Sequence, residues 1–435
     1  MEVLEKIIEI DNPIEFKWDS VLSLIEKQTN DFKNKSLIKL NLVQSTKNKL
    51  YFNAVFIDSI LVEAGFTSMT GVAKAGLKPA STVAALIIPT GIGAAFGGYA
   101  GDANPLAKLI AKESDYLLVH PNVVNGAVLA DNPPNLLYLE GYLLDQFLLG
   151  NIHLLPNNKN KIGVIFDKAI TDERLNYEVN ALNAFKAFYG CEIVGWTVTD
   201  KPLNVHPKIN GAGFSSGSVE NLDNLIEKAI QLKNLGASAI AICAVILDLD
   251  VKDYLEGKGI DPIGGVESII SRVVSCATSL VSAHAPVLIS AQDVDYRKIS
   301  PVSASEYIAQ TFLPSVVSGL RFAPQIFTSD YKVETHLSFY NLSKILLPYN
   351  AFGSPGVFYL NELQEMKSRI FLVKENKTCL KVNPDELNIK FNYINSYTDV
   401  ISEQTIQDLG IDPNVLKRPL KKINRLVKSE TISAN

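Results

Sequence analysis

Between about residues 78 and 326 the chain alternates short, continuously apolar runs with amphipathic stretches of helical length. Residues 82–88, 115–120, 162–166, 192–198 and 239–246 read as strands, and 105–110, 174–188 and 222–235 as helices. A strand with no polar alternation has no face to offer water. Runs of this kind separated by helices therefore belong to mostly parallel sheets covered by helices on both faces. The predicted fold class is α/β.

The flanks differ. Residues 18–25 have amphipathic helical spacing, 37–43 alternate as a strand does, and 51–57 supply a pairing strand, which together predict a small α+β cap. After residue 329 the pattern predicts an α+β extension packed on the core. There 369–373 and 378–382 are expected to form a hairpin across 374–377, and 405–413 a terminal helix stopped by Gly410 and Pro413. The expected division is 1–76, 77–328 and 329–435.

Composition narrows the partners. The chain has 41 basic and 46 acidic residues and a net charge of −5, which argues against a nucleic-acid-binding face. The basic cluster from Lys417 to Arg425 reads as a solvated tail. The four cysteines form no C-x-x-C pair, and acidic residues stand at the start where a secretory leader has basic ones. Both point to a reducing, cytoplasmic setting. The uncharged run between Lys78 and Asp102 is long enough to cross a bilayer, but its prolines and glycines assign it to a buried strand and a loop, so no membrane partner is expected. The hydrophobic fraction, 47%, also suits a homo-oligomer.

The densest chemical signal is the loop after the first core strand, with Gly91, Gly93, Gly97, Gly98 and Gly101 followed by Asp102. It leads into a helix, whose free N–H groups favour an anion, and glycines let the backbone approach a ligand closely. The spacing is neither G-x-G-x-x-G nor that of a P-loop, so no organic cofactor is specified. Plain close packing of a long loop is the alternative reading.

Further polar groups stand at strand ends, where ligands bind in open α/β sheets. His120 with Asn122 and Asn125 offers an acid/base group and two amides. Ser215 and Ser216 lie in a second glycine-and-serine loop, a possible anion nest. Asp261, Glu267 and His284 suit proton transfer or a divalent cation. H-E-x-x-H spacing is absent and the cofactor stays unknown. Cys243 lies in an apolar strand and reads as structural.

Loop 91–105, His120-Pro121-Asn122-Val123-Val124-Asn125, Asp261-Pro262-Ile263-Gly264-Gly265-Val266-Glu267 and His284-Ala285-Pro286 together resemble domain-of-unknown-function family 3326 of photosynthetic organisms and some bacteria. Thr311-Phe312-Leu313-Pro314, Ala323-Pro324-Gln325 and Arg418-Pro419-Leu420 extend the likeness over most of the chain after about residue 65. The resemblance implies a family without a settled reaction, so roles rest on the residues. They favour an enzyme doing proton-transfer chemistry, of isomerase or lyase type, on a small anionic metabolite. A hydrolase of a small polar substrate, or a non-catalytic ligand-binding or biosynthetic partner protein, are the alternatives.

Overall fold

Two parallel sheets are built from the continuous apolar runs. The computed structural model describes residues 3–32, 34–58, 69–72, 81–125, 132–247, 252–287, 300, 312–328, 333 and 335–423. The larger sheet has six strands in the order Asn392–Ile394, Ile370–Val373, Leu342–Pro348, Val83–Leu86, Tyr116–Val119 and Leu136–Tyr138, and every neighbouring pair is parallel. The smaller has four, in the order Val281–Val287, Ala239–Val245, Lys161–Phe166 and Glu192–Val198, again all parallel. Ala239–Val245 is buried at every position. Helices Leu222–Asn234 and Gly264–Thr278 cover one face of this sheet, while Leu313–Leu320 packs on the other beside Asp172–Tyr189. The chain is an α/β protein whose central parallel strands, such as Val83–Leu86 and Ala239–Val245, are buried at every position, as unbroken apolar runs require.

Three strands after residue 340 complete the larger sheet, so the C-terminal segment shares a sheet with strands 83–86, 116–119 and 136–138. The expected boundary at 76–77 lies outside the described residues, and the one at 328–329 adjoins a segment that does too.

The expected hairpin is not formed. Ile370–Val373 pairs in parallel with Leu342–Pro348 and Asn392–Ile394, while Lys381 bridges to Gln44 of the cap. The reason is Asn376 in the intervening turn. Buried, it bonds both the N–H and the carbonyl of Phe96 at 3.0 Å and carries the chain away from Ile370–Val373. Ser215–Ser218 is likewise a short strand, antiparallel to His206–Ile209, where a loop was expected. Nor is the basic cluster wholly solvated. The Arg418 guanidinium lies 3.9 Å from the centroid of the Phe96 ring and 2.9 Å from buried Asp102.

The cap is an antiparallel sheet in the order Leu4–Asp11, Lys49–Asp58, Lys35–Ser45. Trp18, Val21, Leu22 and Ile25 form the buried face of its helix, Trp18–Gln28. Leu4–Asp11 escapes a reading by pattern because only Ile8 and Ile10 are buried in it. Among the described residues no helix is long and apolar enough to cross a membrane.

Candidate functional site

Three strands of the larger sheet end on one cavity. Thr90 follows Val83–Leu86, His120 follows Tyr116–Val119, and Glu140 follows Leu136–Tyr138. The opposite wall comes from the start of helix Gly264–Thr278, with Asp261, Glu267 and Ser271, and from His284 on Val281–Val287. The space is about 950 Å³, solvent at its mouth included. Its placement is that of ligand sites in open α/β sheets, outside the carboxyl ends of the strands.

The two histidines have different surroundings. His120 caps the short helix Pro121–Val124, and its Nδ1 accepts from the Asn122 N–H at 3.5 Å and lies 3.3 Å from Thr90 Oγ1. Burial first, then the nearby charges of Arg272 and His284, pull its pKa down to about 3. The ring is therefore neutral at physiological pH. With Nδ1 accepting, the proton sits on Nε2. His284 has both nitrogens engaged, Nε2 with Glu267 Oε2 at 3.0 Å and Nδ1 with Ser271 Oγ at 2.6 Å. Glu267 and Ser271 are one helical turn apart, so one helix face presents both to the ring.

Two carboxyls complete the arrangement. Glu267 Oε1 is buried and has no hydrogen-bond partner among the described residues. Asp261 Oδ1 accepts from the Ile263 N–H at 3.0 Å. Burial and then the charge of Glu267 push the Asp261 carboxyl up to about 7, so below that pH Asp261 is mostly protonated. Like charges held together in a dry site cannot both ionise freely.

Of the residues singled out from sequence, His120, Asn122, Asn125, Asp261, Glu267 and His284 line this cavity. The two amides are held by the fold as well: the Asn122 amide donates to the Gly97 carbonyl, and Asn125 Oδ1 accepts from the Tyr138 hydroxyl at 2.8 Å.

The glycine loop contributes only Thr90 and Ala100 to the lining. Its glycines allow close packing: a Cβ on Gly98 would stand 2.1 Å from the Ala94 carbonyl oxygen, and one on Gly97 2.6 Å from Ile88. Gly93 packs similarly on Ile260, and the Gly101 N–H donates to the Asn122 carbonyl. Asp102 serves the same loop, accepting from the N–H of Gly97 at 2.7 Å. The Gly91 carbonyl accepts from the Ser215 N–H, and Ser215 Oγ bridges the Pro262 carbonyl and the Gly265 N–H, which fixes the helix start. Ser216 Oγ donates to Glu5.

Sequence reading passed over Glu140, Ser271 and Arg272. Glu140 accepts from the N–H groups of Tyr142 and Leu143 at the start of helix Gly141–Leu148. Arg272 is buried, bonded to the Ile38 carbonyl at 2.9 Å and 3.4 Å from Asp145. A Cβ on Gly141 would meet both Arg272 and His120, so this glycine lets the guanidinium close on the imidazole. For Arg272 the available signal was a cation in a helix, Gly264–Thr278, whose other charged residue is Glu267 and whose remaining positions are apolar or small. Among the described residues no group of three or more His, Cys, Asp or Glu side chains is disposed to hold a metal ion. Cys243 is fully buried, and desolvation pushes its thiol well above the usual range.

The profile of a protein family of unknown function, DUF3326, matches residues 83–417. The chain belongs to the DUF3326 family. It is also 35% identical over 358 residues to an uncharacterized lipoprotein of Synechococcus sp. strain PCC 6301, covering 81% of this chain and 98% of that one. No solved structure matches. In this DUF3326 chain every residue lining the cavity falls inside the matched stretch, whereas the cap's strands and helix all lie before it.

Proposed function

We propose that this protein is an enzyme that moves a proton on a small carboxylate-bearing metabolite, as an isomerase or a lyase does. The observation that carries the reading is Glu267: its Oε2 is held by His284, while its Oε1 is buried and, among the described residues, unpartnered, in a cavity that Asp261 and His120 also line. Glu267 Oε1 takes the proton from a carbon next to a carbonyl or carboxyl group. The C–H electron pair moves onto that oxygen, which the His120 Nε2–H and the protonated Asp261 then stabilise as donors. Returning the proton to another carbon gives isomerisation; expelling a β-substituent gives elimination. The N-terminal end of helix Gly264–Thr278 and the Arg272 guanidinium behind His120 add positive potential for an anionic substrate.

The test needs no knowledge of the product. A pool of small carboxylates is incubated with the protein in D2O and C–H to C–D exchange is followed by NMR. Exchange into one compound that is lost in Glu267→Gln supports the reading. A protein that binds a member of the pool without exchanging it is a ligand-binding protein instead.

We further place the protein in the cytoplasm as a homo-oligomer. Four free cysteines, Cys191, Cys243, Cys276 and Cys379, suit a reducing compartment, and fractionation decides between this and membrane attachment. Edge strand Glu192–Val198 exposes Trp196, and the neighbouring helix exposes Phe188, which suits contact with a second copy. Light scattering in solution tests the oligomer.

A further inference from the structure

The cap sheet turns a polar face inward. Lys39 and Asn41 on Lys35–Ser45 and Asn53 on Lys49–Asp58 line a second cavity, about 410 Å³ with the solvent at its mouth, whose other walls include Ile92, Phe214 and Leu380. Lys39 is only 9% exposed, yet its ammonium has no hydrogen-bond or ion-pair partner among the described residues. It lies over the Phe214 ring, 6.0 Å from the centroid. Glu5 is the acid whose charge acts on it, but Glu5 is committed elsewhere: Oε1 accepts from Asn53 Nδ2 at 2.7 Å and Oε2 from Ser216 Oγ at 2.5 Å. Asn53 is fully buried and its Oδ1 has no partner among the described residues. Burial and the neighbouring Arg272 lower the Lys39 pKa to about 8.

A largely buried lysine whose ammonium makes no hydrogen bond or ion pair, and a buried carbonyl oxygen with no donor, both so among the described residues, each destabilise a fold. Together in one cavity they describe the complement of a ligand, an anionic group beside a hydroxyl, and the apolar walls suit a short aliphatic chain. We propose that the cavity beneath the cap sheet is a second ligand site, for a small hydroxycarboxylate whose carboxylate is held by Lys39 and whose hydroxyl donates to Asn53 Oδ1. The site is distinct from the His120–Glu267 cavity, although Thr90 borders both.

Sodium L-lactate is titrated against the full chain at pH 7, with sodium acetate, sodium phosphate and sodium chloride at matched ionic strength, and melting temperature and heat of binding are read. Lactate is expected to raise the melting temperature saturably, acetate less, and chloride not at all. Lys39→Met should melt no lower than the wild type, since it removes a buried charge, and should lose the lactate shift. Ala351→Leu, which narrows the same cavity and leaves Lys39 in place, should lose it as well and decides the matter if Lys39→Met does not fold. Glu267→Gln should retain it, which separates this site from the proton-transfer cavity. The proposal is overturned by any of four results: no shift with lactate or acetate, a shift with phosphate alone, a shift that survives in Lys39→Met or Ala351→Leu, or one lost in Glu267→Gln.

Discussion

His284 Nε2 stands 3.0 Å from Glu267 Oε2, and this contact joins strand Val281–Val287 to the helix that covers it. Ser271 on the same helix holds the other ring nitrogen at 2.6 Å, so the imidazole is fixed at both ends and orients one carboxylate oxygen while the other has no partner among the described residues. Glu267→Gln is expected to lower the deuterium-exchange rate by about 10²–10⁴-fold, the scale of a lost general base. His284→Gln acts through Glu267, so its loss should be smaller and the double variant no worse than Glu267→Gln alone. Exchange rates normalised to folded protein by circular dichroism check both.

Asp261 carries a pH signature. Its pKa is raised from 3.8 to about 7, by burial first and then by Glu267. Between those values the folded protein keeps a proton that the unfolded chain has released. Stability therefore falls as pH rises through that window, and the loss is complete above it. Asp261→Asn should gain on the wild type in urea unfolding at pH 8 relative to pH 5. The exchange rate should fall above about pH 7 in the wild type, as the donor proton is lost.

For His120 the sign is opposite. Its pKa is lowered from 6.5 to about 3, so below 6.5 the unfolded chain takes up a proton that the folded protein refuses, and stability drops as the pH falls toward 3. His120→Gln should flatten that acid limb of the melting temperature. A limb of unchanged steepness would show that the ring is not held neutral.

Asp102 and Arg418 close the glycine loop from the far end of the chain. The pair is 2.9 Å apart with side chains 1% and 15% exposed. Arg418→Met leaves a buried carboxylate uncompensated and should cost about 3–5 kcal/mol in chemical denaturation, whereas adding Asp102→Asn should recover much of it. Additivity of the two changes would mean that the contact carries no coupling.

Gly98 sets the tightness of that loop. With the Ala94 carbonyl oxygen 2.1 Å from where a Cβ would stand, even Gly98→Ala must move backbone. A loss of about 1–3 kcal/mol or more is expected from overpacking, measured as a lower urea midpoint. Because Gly98 is outside the lining, exchange per folded molecule should change far less than in Glu267→Gln.

Much of this fold is legible locally. Strands such as Ala239–Val245 and helices such as Leu222–Asn234 emerge from apolar continuity and periodicity, since burial on both faces or on one stripe writes itself into neighbouring residues. His120, Asp261, Glu267 and His284 also stand out, because acid/base side chains are conspicuous beside apolar segments. The sequence alone thus determined the α/β class and picked out acid/base residues that line the cavity.

Only the tertiary structure decided how they are used. Glycines serve ligands and close packing alike, and Gly97 and Gly98 are assigned to packing by Ile88 and Ala94, atoms that no spacing rule reveals. Strand direction is equally non-local: Ile370–Val373 lies parallel to its neighbours because Asn376 is tied to Phe96, a contact spanning much of the chain. Lys39 sits in a strand whose alternation is compatible with solvent, and the structure buries it against Phe214 and Asn53. The physical reason is common to all three. Periodicity records how a residue relates to its own element, whereas desolvation and partnering depend on which distant element arrives beside it.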